Sequence, residues 1–491
     1  MGGVIMRGMR DTTQQRLVLG DEGLINAPGE AHVLRNDLGR GSGDGEVLLR
    51  LLHLTDLHVM DAASPARVEW VQALGDDPQW RPLLDMHRPY EVVSNHGVAA
   101  IVDSVRRWSG EPIELALATG DCIDNAQSNE LSAYLSLLDG GSFSFPYAGP
   151  LERVWRDRLR ADDPWTYWCP EDAEPDVWKT EHGFPVVAEL LAASGQPVTS
   201  VGLPLPWFGV LGNHDVMRQG TIWSNPALEA IALGSSKMFG AGPGVGRDPV
   251  REYLDRPETF SAGPQSFAIA ADPERRAISA DEFIDAHRVR GRGFADGRAD
   301  YVQVSDSGVV VVVLDTNHPG GNFQGSIGAE QLDWLDEQLQ AAGDNPVVVA
   351  SHHGPIAMDN TQNEARLLGP DLEAALHRRG NVVAWLNGHR HVHRIRPCPD
   401  PSGRGPGFWD ITTSSTIDWP CQGRVVEIVR SNDGNVGVRT SVVDHDSVNW
   451  HDRGPHWMGA LHRELASRVA GTGRRARAVG QPGDRNAILP R

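Results

Sequence analysis

The sequence contains little cysteine, almost no lysine and no long apolar run. Its four cysteines are scattered over 491 residues without a CxxC spacing, which argues against a disulfide framework and against a zinc ribbon. The longest apolar run, VVVVVL at 309–314, is far shorter than the roughly 20 residues of a membrane helix, so we expect no membrane partner. The N-terminal residues contain neither the apolar core nor the paired arginines of an export signal, which predicts a cytoplasmic protein.

Lysine occurs only at Lys179 and Lys237, and the other basic residues are arginines. We attribute this bias to codon usage in a GC-rich genome and do not count it as phosphate recognition. The 45 basic and 65 acidic side chains give a net charge of −20, which repels polyanions. A nucleic-acid polymer is therefore not expected as a partner, whereas the charge suits a protein that concentrates cations.

Apolar stretches of two different periods alternate along the chain. Residues 96–108 and 329–342 place apolar side chains every three or four positions, which predicts helices. Strands are predicted at 47–54, 113–118, 206–211, 309–315, 346–351 and 382–387, and residues 424–444 predict a hairpin around NDGN. Strands interleaved with helices indicate an α/β fold.

We predict one main domain at 47–450. An N-terminal extension precedes it at 1–46, and residues 451–491 are predicted to form a helix and then a disordered tail after about residue 470. Two long segments, about 140–205 and 216–300, lack the strand–helix rhythm and are interpreted as insertions on one scaffold. The first is rich in tryptophan, and the second contains the stretch GAGPGVG, interpreted as a mobile lid or hinge.

Polar side chains follow five of the predicted strands. In an open α/β sheet the carboxyl ends of the strands face one shared crevice, so side chains far apart in sequence converge there. Any one of these motifs alone is most simply a polar strand end, a helix cap or an Asx turn. The five stretches are TDLH (Asp56, His58), TGDCIDN (Asp121, Asp124, Asn125), GNHD (Asn213, His214, Asp215), SHHGP (His352, His353) and GHRH (His389, His391).

Together these stretches offer oxygen and imidazole ligands without thiolate, a set that suits Mn, Fe or Zn. The candidates outnumber the ligands of a single tetrahedral site. Two metals that share Asp56 or Asp121 would use them all, and such a pair can clamp both oxygens of an in-line displacement at phosphorus.

The five motifs in this order resemble the calcineurin-like metallophosphoesterase superfamily, which includes purple acid phosphatases, cyclic-nucleotide phosphodiesterases, protein phosphatases and nucleases. The resemblance covers about 47–450 and is most similar to the bacterial long-insert metallophosphoesterases. It implies a four-layer α/β/β/α sandwich with the metal site at strand carboxyl ends. It also implies a phosphoester hydrolase that acts on a small-molecule phosphate ester, as a phosphodiesterase or a phosphomonoesterase, by in-line attack of a metal-bridging hydroxide.

The same resemblance implies a role for each motif residue. One metal would be held by Asp56, His58, Asp121 and His391, and the second by Asp121, Asn213, His352 and His389, with Asp121 bridging. His214 would act on the phosphoryl oxygens or the leaving group, and Asp215 would orient it. Asn125, His318, His353 and Trp419 are candidates for the substrate pocket.

Two departures from the superfamily pattern and one repeat need interpretation. Asn125 stands where the protein phosphatases of the superfamily carry an arginine, which counts against a phosphoprotein substrate. The usual HHPP is HHGP here, and His352, which follows its strand directly, is preferred to His353 as the ligand. Alternation along an extended chain puts His389, His391 and His393 on one face, but the other motifs require two imidazoles, so His393 is predicted to be a bystander.

Two other functions remain open: a nuclease, and a non-catalytic scaffold with the same fold. The acidic charge opposes the first, and the complete ligand set opposes the second. The sequence carries no signature of an oligomeric state.

Overall fold

A computed structural model of the chain describes residues 9–20, 23–74, 77–83, 87–145, 168–238, 248–263, 266–362, 365–447, 449–469 and 477–491. Its strands are β1 (Arg10–Asp11), β2 (Gln15–Leu19), β3 (Leu24–Pro28), β4 (Val33–Leu34), β5 (Gly45–Leu54), β6 (Leu115–Thr119), β7 (Gly141–Phe143), β8 (Val198–Ser200), β9 (Trp207–Val210), β10 (Ser236–Met238), β11 (Ser266–Ala268), β12 (Tyr301–Val304), β13 (Val310–Leu314), β14 (Val347–Ser351), β15 (Val382–Asn387), β16 (Arg394–Cys398), β17 (Phe408–Thr412), β18 (Gly423–Ser431), β19 (Val436–Asp444) and β20 (Ala487–Leu489). Its helices are α1 (Glu91–Val105), α2 (Ser128–Asp139), α3 (Val177–His182), α4 (Leu190–Ser194), α5 (Asn213–Val216), α6 (Pro226–Ala232), α7 (Pro249–Asp255), α8 (Ala280–Arg288), α9 (Ala329–Ala341), α10 (Gly369–Leu376), α11 (Trp457–Arg468) and α12 (Pro482–Arg485).

The larger sheet has the order β4-β20-β19-β18-β5-β6-β9, and β1 pairs with β19 at its side. β5, β6 and β9 are parallel, whereas β18 pairs antiparallel with both β5 and β19. Parallel neighbours need a crossover connection, and α1 and α2 lie in the two connections between β5, β6 and β9. The carboxyl ends of these three strands therefore meet at one edge.

The smaller sheet has the order β12-β13-β14-β15-β17-β16, with β13, β14, β15 and β17 parallel. Side chains alternate between its two faces, as the pleat requires. Val311 and Val313 join the core cluster that also contains Leu51 of β5, while Val310 and Val312 pack in the cluster that contains leucines of α9 and α10. The sheets thus face each other with helices outside, which confirms the predicted α/β layering.

The predicted elements agree closely with the observed ones. The apolar run at 382–387 is β15, and the hairpin predicted at 424–444 is β18 and β19. Buried side chains extend along the whole of β13, β14 and β15, which explains why these strands have continuous apolar sequences rather than alternating ones. The helix predicted at 96–108 begins earlier, at Glu91, and ends at Val105.

The two ends of the chain are built into the larger sheet. β4 of the N-terminal extension pairs with β20 of the tail, and β20 pairs with β19. The prediction of a disordered tail is therefore wrong for 477–491; residues 470–476 lie outside the described part. Arg485 Nη2 contacts Glu30 Oε1 at 2.5 Å, so the two ends hold each other through an ion pair as well as through strand pairing.

The two predicted insertions carry short elements, including the two-stranded ribbons β7–β8 and β10–β11. Trp168 and Trp178 of the first segment are buried in a cluster with Tyr90 and Leu461, so these tryptophans pack the segment onto α1 and α11. The glycine-rich stretch at 240–246 and residues 146–167 lie outside the described residues. Among the described helices, none is long and apolar enough to cross a membrane.

Candidate metal centre

The candidate ligands lie at the edge where the parallel strands of both sheets end. Asp56 and His58 follow β5, Asp121 follows β6, and Asn213 begins α5 directly after β9. The second sheet contributes the histidines that follow β14 and β15, namely His352, His389 and His391. The structure therefore brings together all seven residues predicted as ligands.

The backbone at these strand ends is unusual. Non-glycine residues seldom adopt positive φ, and each such residue costs about 1–3 kcal/mol, which is typical of functional sites. Five of the seven candidate ligands have positive φ: Asp56 at 51°, His58 at 44°, Asp121 at 49°, His389 at 65° and His391 at 52°. The fold thus bends the chain sharply to aim these side chains at one point.

Gly388 permits a close approach between the strand ends of the two sheets. A Cβ atom at this position would lie 1.9 Å from Thr55 Oγ1 and 2.4 Å from Asp56 Oδ2. The amide of His389 then donates to Asp56 Oδ1 at 3.1 Å and to Oδ2 at 3.0 Å. A side chain at Gly388 would separate the motif after β15 from the motif after β5.

The first half of the cluster consists of Asp56, His58 and His391. His391 Nε2 lies 3.0 Å from Asp56 Oδ1 and 3.3 Å from His58 Nε2. One ligand atom from each of the three residues lies within 4.8 Å of the others. These separations match ligands arranged around a single ion, because metal–nitrogen and metal–oxygen bonds are about 2.0–2.2 Å long.

The second half consists of Asn213, His352 and His389. His352 Nε2 lies 3.2 Å from His389 Nδ1 and 3.1 Å from Asp121 Oδ2. The same Asp121 oxygen is 3.9 Å from His58 Nε2 of the first half. Asp121 therefore lies between the two halves and can contact ions in both.

The protonation of the histidines favours cations at both positions. His58 Nδ1 lies 2.9 Å from Asp124 Oδ1, and His391 Nδ1 lies 2.7 Å from Asp418 Oδ2. A carboxylate accepts hydrogen bonds, so each ring donates at Nδ1, and Nε2 is the nitrogen that can hold either a proton or a metal ion. In the neutral forms of both rings these Nε2 atoms carry lone pairs. The two lone pairs face each other and repel unless a proton or a metal ion lies between them. His352 is arranged in the same way, because its Nδ1 lies 2.9 Å from the carbonyl oxygen of Thr119.

Asn213 gives a second test of whether these residues fit a metal ion. Its Nδ2 donates to the carbonyl oxygen of Gly220 at 2.9 Å, whereas its buried Oδ1 has no hydrogen-bond partner within the described chain. An unsatisfied buried carbonyl oxygen costs about 1–3 kcal/mol, which a metal ion would offset. The donors are carboxylate and amide oxygens with imidazole nitrogens, so the residues present fit Mn, Fe or Zn.

The pKa values show where protons and metal ions compete. Burial lowers the pKa of His58 to about 4. Burial also acts to lower the pKa of His352 and of His391, but Asp121 and Asp56 respectively outweigh it and raise both values to about 9. Metal ions displace protons from such nitrogens, so binding at these sites releases protons and weakens as the pH falls.

His214 is held by Asp124, and the predicted partner Asp215 has another role. His214 Nδ1 lies 2.9 Å from the carbonyl oxygen of Asp124 and 3.3 Å from its Oδ1. Asp215 instead accepts from the amides of Cys122, at 2.8 Å, and of Gly212, also at 2.8 Å. The prediction that Asp215 orients His214 is therefore wrong: as a residue of α5 it turns back onto the loop after β6 and joins the two strand ends.

Three of the four predicted pocket residues are fully buried. Asn125 is 1% exposed and its Nδ2 donates to Glu130 Oε1 at 2.8 Å, so it braces the loop after β6. His318 is 0% exposed, and its Nδ1 accepts from the amide of Gly320 at 2.9 Å. Trp419 is half-buried and packs on the apolar cluster that contains Tyr90. In the structure these side chains contact the loops of the site, and their contact with substrate stays a prediction.

His353 and His393, the two histidines not preferred as metal ligands, each have hydrogen-bond partners at both ring nitrogens. His353 lies 2.9 Å from Thr316 Oγ1 and 3.0 Å from the carbonyl oxygen of Phe323, and burial lowers its pKa to about 3. His393 lies 3.1 Å from Gln422 Oε1 and 3.0 Å from Arg424 Nη2. Neither ring has a nitrogen left for a metal ion, which supports the preference for His352 and the role of His393 as a bystander.

Sequence reasoning missed two carboxylates that hold the ligand rings. Asp124 is the second aspartate of the GDxxD motif, so the signal was present but no role was assigned. Asp418 lies beside Trp419 in a stretch with no recognisable motif, and it reaches His391 only in the folded chain.

A further group of side chains that could bind a metal ion consists of Glu69, His87 and Glu91. This group already pairs with buried cations, since Lys237 Nζ is 2.5 Å from Glu69 Oε1.

Comparisons with known proteins identify the family of this chain and several similar proteins. The family model of the calcineurin-like phosphoesterases matches residues 49–393. A probable cyclic nucleotide phosphodiesterase of Synechococcus sp. (strain WH7803) is 28% identical over a match that spans 26% of this chain and 67% of that protein. A 3',5'-cyclic-nucleotide phosphodiesterase of Nostoc sp. (strain PCC 7120) is 28% identical over 23% of this chain and 40% of that protein.

Among solved structures, a dimetal phosphatase from Danio rerio aligns over 80% of this chain and 99% of its own, at 15% identity and a TM-score of 0.33. A purple acid phosphatase from yellow lupin aligns over 85% and 56%, at 11% identity and a TM-score of 0.26.

The matched family and the names of the relatives support a hydrolase of phosphoesters. Because the family model spans most of the chain, the protein belongs to the calcineurin-like phosphoesterase family. That family implies divalent metal ions, and the His and Asp groups described above are the candidates to bind them.

Proposed function

We propose that the protein is a binuclear metal-dependent hydrolase of a small-molecule phosphate ester. The observation that carries the proposal is the pair of facing imidazoles in each half of the cluster. In the first half two Nε2 atoms are 3.3 Å apart, and in the second half Nε2 and Nδ1 are 3.2 Å apart. Asp121 lies between the halves, as a shared ligand must.

The proposed ligands of one ion are Asp56, His58, Asp121 and His391, and those of the other are Asp121, Asn213, His352 and His389. When bound, the two ions would supply Lewis-acid activation of the phosphoryl group and of the attacking water. The burial of the aspartates strengthens their interaction with cations, because little water remains to screen them; Asp56 is 0% and Asp121 is 1% exposed.

His214 is proposed to deliver a proton to the leaving oxygen. Its Nδ1 donates to the carbonyl oxygen of Asp124, so the transferable proton is the one at Nε2. The side chain is 16% exposed and its ring centroid is 4.5 Å from that of His58, so it lies at the mouth of the cluster. Asp124 contacts the rings of His58 and His214 and therefore holds His214 beside the first half of the cluster.

The substrate is proposed to be small. The net charge of −20 opposes a polyanionic substrate such as a nucleic acid, while a single phosphate ester can be drawn in by the ions themselves. The curated relatives bear the names of cyclic nucleotide phosphodiesterases, so cyclic nucleotides are the first natural diesters to test.

The experiment is an ester-by-metal panel on the purified chain. Apoprotein is reconstituted with Mn, Zn or Fe and assayed with p-nitrophenyl phosphate, its bis-ester and 3',5'-cyclic AMP. We expect hydrolysis only with added metal, and loss of hydrolysis in Asp121→Ala. No turnover despite two bound ions would favour the scaffold alternative, and cleavage of single-stranded DNA in preference to the small esters would favour a nuclease.

A further inference from the structure

Asp418 occupies a buried position between a candidate ligand and two fixed donors. Its Oδ2 lies 2.7 Å from His391 Nδ1. On the other side Arg88 donates from Nε to Oδ1 at 2.8 Å and from Nη2 to Oδ2 at 2.9 Å, and the Tyr90 hydroxyl donates to Oδ1 at 2.8 Å. Asp418 is 5% and Arg88 is 4% exposed, so water can replace few of these contacts.

We infer that Asp418 is a positioning residue that fixes the orientation and the tautomer of His391 for metal binding. The inference rests on the proposed function, because it assumes an ion at His391 Nε2. A neutral imidazole carries its proton on one nitrogen and its lone pair on the other, so the partner at Nδ1 decides whether Nε2 can bind a cation. With a carboxylate as partner Nδ1 donates, so the proton that a metal ion displaces is the one at Nε2.

The geometry of Arg88 makes this partner rigid. A guanidinium that contacts both oxygens of a carboxylate holds the plane of the group as well as its position. Arg88 is itself held by its main chain, since its amide donates to Glu91 Oε1 at 2.8 Å at the start of α1. The orientation of His391 is thus tied through Asp418 to the first turn of a helix of the main domain.

An amide at position 418 would not reproduce the arrangement. In Asp418→Asn the single oxygen satisfies both Arg88 Nε and the Tyr90 hydroxyl only when it occupies the Oδ1 position. The amide NH₂ then faces His391 Nδ1, which must become an acceptor, and the ring proton moves to Nε2. In the opposite rotamer the NH₂ points at the Arg88 and Tyr90 donors. The first arrangement blocks the metal position and also turns the NH₂ toward Arg88 Nη2, which donates to Oδ2 in the wild type. The second arrangement loses the contacts of Arg88 Nε and the Tyr90 hydroxyl.

The test compares Asp418→Asn with the matched variant Asp61→Asn. Asp61 is also buried beside an arginine, with Arg275 Nε 2.7 Å from its Oδ2, but none of its described contacts is with a candidate ligand. Zinc affinity is measured by competition with a chromogenic chelator, and the tautomer of His391 is read from ¹⁵N spectra of the zinc-loaded protein. We expect Asp418→Asn to bind the ion of the first half about 10–100-fold less tightly than wild type, and to show a proton at Nε2 of the ring. Asp61→Asn should match wild type in both readouts.

Two further variants keep the test decisive if Asp418→Asn does not fold. Tyr90→Phe removes one donor to Oδ1 and keeps the buried ring, and Asp418→Glu keeps the charge. We expect Tyr90→Phe to weaken zinc binding less than Asp418→Asn, and Asp418→Glu to recover part of the affinity. Unchanged zinc affinity in Asp418→Asn, or in both Tyr90→Phe and Asp418→Glu where Asp418→Asn does not fold, would overturn the inference alone. Failure of the wild-type protein to bind zinc, Mn or Fe would overturn the proposed function.

Discussion

Each half of the cluster contains two imidazoles, but the rings are supported differently in the two halves. In the first half, His58 and His391 donate to the carboxylates of Asp124 and Asp418. In the second half, His352 donates to a backbone carbonyl, that of Thr119. A carboxylate partner makes an imidazole a stronger electron donor than a neutral carbonyl does. The first half should therefore hold its ion more tightly.

The supports differ in charge as well. Each of the two carboxylates that support these rings pairs with a buried arginine: Asp124 with Arg67 and Asp418 with Arg88. A buried charge without a partner is costly, so these arginines keep the carboxylates ionised and in place. The carbonyl oxygen that supports the second half needs no such partner. The comparison shows that imidazole ligands of one centre can have supports of different rigidity and charge.

The largest effect is expected where the halves meet. Asp121→Ala removes the shared ligand, so both ions lose a charged donor. We expect hydrolysis of the bis-ester to fall by about a thousand-fold or more, as for removal of a central catalytic group. Metal analysis of the variant by mass spectrometry checks the cause; retention of both ions with full activity would exclude a bridging role for Asp121.

The next test separates the two halves. His352→Ala should lose the ion of the second half and keep the other, while His391→Ala should lose the more tightly held ion. Metal per chain after dialysis against a weak chelator measures this difference. If His352→Ala retained less metal than His391→Ala, the order of affinities inferred from the supports would be reversed.

A smaller effect is expected from the carboxylate that serves both metal binding and proton transfer. Asp124→Asn should weaken metal binding by about 10–100-fold, because His58 loses its charged partner. Since Asp124 also contacts His214, kcat should fall even at saturating metal. A variant with normal kcat once metal is saturating would show that His214 does not depend on Asp124.

The smallest effect on the metal centre is expected at His393. His393→Ala should bind metal like wild type, because neither ring nitrogen faces the cluster. It should lower the free energy of unfolding by about 1–3 kcal/mol, since Arg424 and Gln422 lose a buried partner. Denaturant unfolding and metal analysis of the same preparation test both statements; loss of metal would assign His393 to the centre.

The sequence predicted the strands well and pointed to the candidate ligands that follow them, because both are local signals. The apolar run of β15 and the GHRH motif behind it are continuous in the chain. The supports could not be predicted, since Asp418 meets Arg88 across 330 residues and no motif marks it. The resemblance implied that Asp215 orients His214, but the first turn of α5 directs this carboxylate to the amide of Cys122.

The C-terminal tail teaches the same lesson for the fold. Residues 477–491 contain few apolar side chains, so composition predicted disorder. In the structure Ala487 and Leu489 are 0% exposed, because the larger sheet offers an edge strand, β19, to pair with. Such an edge is formed by residues far away in sequence and leaves no trace in the tail itself.

The central claim is that two metal ions share Asp121. The most direct measurement is the electron paramagnetic resonance spectrum of the protein titrated with Mn²⁺. Our account predicts that a second equivalent of Mn²⁺ produces the multiline spectrum of an exchange-coupled pair, and that Asp121→Ala abolishes it. A spectrum of isolated Mn²⁺ at every stoichiometry in the wild-type protein would contradict the account.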